Sequence, residues 1–259
     1  MRENAHKGIA LVVLITLTAA CTTENYDSNN YSTAHRENGL PSNESASIPN
    51  TKIEPATPAT LDSSSTHTQA TAATKTPFPE LPQSRQNLDL ESDPFGPTSE
   101  AEQKWLDTHG FPNARQWETY TAASDYLLEQ AANSGDRVAR TMLDARRLRE
   151  DPEAKTRLFS AGAEGNIFAL NSLAAYMTGS KDGNLQVGYS LSRVAEMRGD
   201  SRIAMARDVA MPRKLNELEK MHAEADAIRM NNQLDRMYRD KHGALPPPPV
   251  RRPVVELDN

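Results

Sequence analysis

The sequence is poor in the residues that would cross-link a fold or anchor it across a bilayer. It has a single cysteine, Cys21, so no intramolecular disulfide can form, and one thiolate cannot build a cysteine zinc site. Long apolar runs are missing too. The one candidate, "GIALVVLITLTAA" near the N-terminus, is well short of the roughly 20 residues that a helix needs to cross a bilayer, and no later window is as apolar. A basic excess is absent, with 29 Lys and Arg against 35 Asp and Glu, which argues against a nucleic-acid partner. Strand-like alternation and Val/Ile-rich runs do not occur between Ser99 and about residue 242, which argues against a sheet there. Histidine is scarce where it could act: His6, His35 and His67 precede the helical region and His242 ends it, leaving His109 and His222. "MHAEAD" puts His222 and Asp226 one helical turn apart, but two ligands do not make a metal site. Glu217 and Glu224 read as surface charges, because a general acid and base need a pocket. No catalytic residue, metal or cofactor is assigned on this basis, and the chain is expected not to be an enzyme.

What is present at the start has the layout of a signal peptide, with Arg2 and Lys7 before the apolar run and small residues leading to Cys21. The stretch "LTAA" before Cys21 resembles the bacterial lipobox, with Thr18 where Leu is usual. The resemblance implies that residues 1–20 are removed and that Cys21 carries several acyl chains, leaving no free thiol. At about 0.8 kcal/mol per buried methylene, such an anchor is stable where one chain is marginal. Thr22, not aspartate, follows, which by the same resemblance directs the protein to the outer membrane, facing the periplasm. Residues 21–98 are written mostly in Ser, Thr, Asn, Pro, Ala and acids. They cannot bury enough apolar surface to offset their ordering entropy and are expected to form a disordered, acidic tether. The later chain is balanced in charge.

From Ser99 helix formers take over, and residues 99–242 are expected to form one all-α domain. Asn113, Asp151 followed by Pro152, Asn184 and Asp200 are cap candidates. Three segments align: "LLEQAANSGDRVARTML", "LFSAGAEGNIFALNSLA" and "LSRVAEMRGDSRIAMAR". Gly135, Gly165 and Gly199 recur at intervals of 30 and 34 residues, each four after an alanine (Ala131, Ala161, Ala195) and one before a capping residue (Asp136, Asn166, Asp200). Ala139 and Ala169, then Leu143 and Leu173, continue the first two copies, whereas the third has Ile203 and Arg207 there. Such columns predict a helix ended by a left-handed glycine, a cap for the next helix, and small residues where the pair touch.

These columns, over residues 114–206, resemble the Sel-one-like repeat family, relatives of the tetratricopeptide repeats. The resemblance implies a short right-handed α-solenoid of helix hairpins. It also implies a protein or peptide partner held in a groove at Val138, Thr141, Ala145, Phe168, Asn171, Ala175, Arg202 and Met205. The alternative is a cell-wall glycan stacked on Trp105, Trp117 and Tyr120, although these rings can equally pack the first unit. A last helix over about 212–241 carries Leu215, Leu218, Met221, Ala225 and Ile228 in one stripe and is expected to cap the repeats, or else to pair with a second copy, which leaves the oligomeric state open. The tail 243–259, "ALPPPPVRRPVVELDN" from Ala244 on, favours polyproline II and reads either as a docking ligand for a groove or as a disordered end.

Overall fold

Short polar side chains set the helix starts by accepting hydrogen bonds from amides of the first turn. The computed structural model describes residues 76–253; the signal segment, Cys21 and most of the polar stretch lie outside the described residues. Ser99 caps α1 (Glu100–Thr108), Asn113 caps α2 (Ala114–Ala122) in a capping box with Gln116, and Ser124 caps α3 (Asp125–Asn133). Asp136 caps α4 (Arg137–Arg146), Asp151 with Pro152 opens α5 (Pro152–Ala163), and Asn166 caps α6 (Ile167–Gly179). Asn184 caps α7 (Leu185–Met197). α8 (Ser201–Ala210) follows Asp200 without a side-chain cap, and Asn216 with Glu219 boxes the start of α9 (Glu217–His242). Among the described residues there are nine α-helices and no strand, the all-α class expected. None of these helices is long and apolar enough to cross a membrane.

The three aligned segments are helix pairs with one turn chemistry. Gly135, Gly165 and Gly199 have φ of 99°, 82° and 112°, values at which any side chain is strained. In each turn the residue after glycine donates its amide to the alanine carbonyl five residues back: Asp136 to Ala131 at 3.1 Å, Asn166 to Ala161 and Asp200 to Ala195 at 3.0 Å. Each glycine amide donates three residues back, to Ala132, Gly162 and Glu196. This pair of bonds, a Schellman motif, satisfies the last carbonyls of the first helix while the cap serves the amides of the second. The expected alanines lie at the contacts: Ala131, Ala139, Ala169 and Ala195 are fully buried, and Ala161 is half-buried.

The pairs α3–α4, α5–α6 and α7–α8 pack internally, α4 meets both α5 and α6, and α6 meets α7. The core threads through all of them, from Leu106, Tyr120 and Leu128 to Leu158, Leu170 and Leu191. α9 lies against α7 and α5, so it covers the array, but not with the expected stripe. Its buried face is Ala223, Ala227 and Leu234, with Met230 and Met237 packed beside them. Leu218, Met221 and Ile228 are 63%, 69% and 55% exposed. Both faces obey helical spacing; the inner one is chosen by fit, since Ala223 and Ala227 let α7 approach. Its polar edge also finds partners: Ser190 donates to the Ala223 carbonyl at 2.9 Å, Arg193 pairs with Glu224 at 3.0 Å and Arg198 with Asp235 at 2.6 Å. The helix starts at Glu217, later than expected, and passes Asn231 and Asn232 without a break.

Two expected outcomes follow from burial. Ala169→Leu should overpack the α5–α6 contact and cost about 1 to 3 kcal/mol, with a smaller loss for Ala161→Leu because that position is half-buried; urea melts of both variants check the order. Leu234→Ala should cost about 2 to 5 kcal/mol, while Leu218→Ala should stay within about 0.5 kcal/mol of wild type. The reverse order in thermal unfolding would mean that α9 packs by its other face.

Candidate functional site

The eight positions expected to line a groove do not form one open surface. Thr141 and Phe168 are buried, Val138 packs against the core, and Ala145 is half-buried. Asn171 donates to Asp200 at 2.8 Å, and Arg202 donates to the Phe95 carbonyl at 3.1 Å and pairs with Glu102 at 3.1 Å. Only Ala175 and Met205 are exposed. Over Phe168 and Arg202 the covering material is the chain's own N-terminal arm, residues 76–112, part of which falls in the stretch expected to be tether. Phe95 meets Phe111, Trp117 and Phe168 edge-on with ring centroids 5.1, 5.9 and 5.7 Å apart, an arrangement that favours aromatic pairs. The His109 carbonyl accepts from the Phe168 amide at 3.2 Å, and Gly110 lies so close to Asn166 that a Cβ there would sit 2.4 Å from its side-chain oxygen.

One arginine fastens the arm. Arg85 is 1% exposed; its guanidinium donates to Asp93 at 2.8 Å, to Asp107 at 2.7 Å, and to the carbonyls of Phe111 at 3.1 Å and Pro112 at 2.5 Å. The polar composition of residues 21–98 concealed this. Phe78, Leu81 and Phe95 dock the last part of that stretch, so the folded part includes residues 76–98 instead of starting at 99.

The C-terminal tail packs against the same arm. Its residues 250–252 lie between α1 and the α7–α8 turn and are held by their main chain. The Trp105 indole N–H donates to the Val250 carbonyl at 2.7 Å, the Arg252 amide donates to the Gly199 carbonyl at 2.8 Å, and the Ser201 hydroxyl donates to the Arg252 carbonyl at 2.9 Å. A Cβ on Gly199 would stand 2.3 Å from the Val250 oxygen, so the peptide can approach only a glycine. The Arg252 side chain is 4% exposed. It donates to Glu102 at 2.7 Å and to the Phe95 carbonyl at 3.0 Å, lies 3.6 Å from Asp200, and sits over the Trp105 and Phe111 rings at 5.7 and 5.8 Å. Burial pushes the guanidinium below the ordinary arginine value, while Asp200 and Glu102 pull it back up.

Asp200 explains the broken third copy. Asp136 and Asn166 cap their helices through Ala139 at 2.9 Å and Ala169 at 3.0 Å, but Asp200 makes no such bond and turns to Asn171 and Arg252 instead. Its Oδ1 is buried without a hydrogen bond. Sequence reasoning singled out Asp200 as a cap only, and named neither Glu102 nor Arg252. The one signal available was the cluster of departures in the third copy, at Ile203 and Arg207.

The aromatic trio is not a free platform. Trp105 is 4% and Tyr120 0% exposed, and Trp117 is half-buried against Phe95. Trp105 stacks on His109 at 4.0 Å, and burial lowers the His109 pKa against the opposing hydrogen bond to the Trp105 carbonyl. The Tyr120 hydroxyl donates to Asp136, which with burial raises its pKa. The rings therefore pack the first helices, and the glycan reading based on them is withdrawn. Among the described residues no three His, Cys, Asp or Glu side chains are grouped to hold a metal, and His222 is exposed. A shallow concavity between α5 and α9 is lined by Ser160, Ala161, Ala163, Glu164, Met237 and Lys241. Comparison with protein-family models, curated proteins and solved structures finds no match.

Replacing Arg85 by alanine should cost about 3 to 5 kcal/mol, because it leaves Asp93 buried without its cation. Hydrogen exchange of the residues 93–112 amides is expected to accelerate in that variant before the α6–α7 amides do.

Proposed function

We propose that the protein is a lipid-anchored scaffold of the cell envelope that binds a protein or peptide partner on its helical hairpins. In this reading Cys21 carries the anchor in the outer membrane, the polar stretch up to about residue 75 spans the gap, and the hairpins form a short right-handed solenoid capped by α9. The repeated turn chemistry and the contacts between successive pairs support the stacking. One observation carries the binding role: between α1 and the α7–α8 turn the fold already holds a short peptide through three hydrogen bonds to its main chain. Main-chain hydrogen bonds combined with a side-chain pocket are a general means of peptide recognition. The partner surface is thereby shifted from the eight positions first expected to this slot, which Arg202 alone of them borders.

Two measurements test the reading. Cys21→Ser should abolish acyl labelling and move the protein from the membrane to the soluble fraction; wild-type protein without acyl label overturns the anchor. Cross-linking in intact envelopes, followed by capture of the full chain, should return a defined protein partner, whereas sedimentation with purified peptidoglycan should leave the chain in the supernatant. Co-sedimentation without a protein partner would replace the scaffold reading by a wall-binding one.

A further inference from the structure

Resting on that scaffold reading, we propose that the slot between α1 and the α7–α8 turn is a binding site for a segment of a partner protein that presents its main chain and one arginine, and that residues 250–252 occupy it as a tethered competitor. The chemistry of the slot reads the main chain at two residues and a guanidinium at the second. Val250 is 66% exposed and Arg251 is exposed, so neither side chain is selected. Glu102 and Asp200 are 0% and 2% exposed. Arg202 accounts for one negative charge, so two buried carboxylates require a second cation. Asp200 Oδ1, aimed at Arg252 from 3.6 Å and without a hydrogen bond, marks a slot that the tail fills incompletely. A partner arginine placed for a full bidentate contact would bind it better.

The tail suits a competitor. It is joined to α9 by residues 243–249, mostly exposed, and prolines keep that strap extended at little entropic cost. A short tether holds a ligand at an effective concentration in the millimolar range, enough to exclude weak binders while a better arginine ligand displaces it.

The probe is a fluorescent peptide of the tail sequence, LPPPPVRRPVVELDN, and its variant with alanine for the second arginine. The full chain truncated after Pro249 should bind the first peptide saturably and the second at least about tenfold more weakly. Glu102→Gln in the truncated chain should weaken the first by a similar factor. Untruncated protein should bind about tenfold or more weakly than the truncated form. Full-length Arg252→Ala, which keeps the tail, should also bind the first peptide and shift the Trp105 indole resonance, assigned by Trp117→Phe. Loss of cooperative melting in both tail variants would make the tail a structural strut and overturn the proposal, as would folded variants that bind neither peptide. Concentration-dependent dimers of the wild type that vanish on truncation would assign the slot to a second copy instead. Peptide binding without an envelope partner would sink the scaffold reading alone; an envelope partner whose capture is indifferent to truncation and to Glu102→Gln would sink this inference alone.

Discussion

Everything in the helical region depends on the left-handed glycine that ends the first helix of each pair. At a positive φ the chain reverses within two residues, and the two Schellman bonds satisfy carbonyls that would otherwise be left over at a buried helix end. The following Asp or Asn is thereby placed to serve the next helix. Because the turn is short, the paired helices must touch close to it, and alanine is what fits. Gly110, with a φ of 79°, repeats the device after α1, where the Phe111 amide donates to the Leu106 carbonyl at 3.1 Å; here the reversed chain presses on Asn166 in the α5–α6 turn.

Departure from that rule is where the chemistry gathers. Asp200 makes no cap bond, and α8, the second helix of the last pair, has no fully buried residue, only Ile203 packed against the core. In exchange the α7–α8 turn, α1 and the tail share four buried or half-buried charges, Glu102, Asp200, Arg202 and Arg252. A buried cluster of this kind adds little net stability against an apolar core of the same shape, yet losing one member is costly. It therefore acts more as a specifier of what lies in the slot than as a source of stability.

α9 illustrates how a helix can offer two faces and the fold choose one. Where it crosses α7 its small residues face inward, because the distance is set by Ala223 and Ala227 and by the bonds of Ser190 and Tyr189, the latter donating to Glu224 at 2.9 Å, while Met230, Leu234 and Met237 fill the face further along. The larger Leu218, Met221 and Ile228 remain outside, where apolar side chains are common on protein surfaces.

The sequence by itself determined the all-α class, the helix starts at Asn113, Asp136, Asp151, Asn166 and Asn184, and the hairpin turns, since a cap and a glycine act within five residues and their geometry is local. It also located the alanines at helix contacts, for the same reason. It misplaced the edges of the fold: a polar stretch with only a few aromatics reads as tether, yet Arg85 ties it to α1 and the loop after it, and Phe95 docks it on Phe168 and Arg202, far along the chain. The pairing of Glu102 with Arg252 spans |i−j| of 150, and no local pattern encodes a partner at that distance. Only the tertiary structure decided which face of α9 is inside, which rings are free and where the tail lies, because each of these is settled by shape complementarity and charge between segments that are neighbours in space alone.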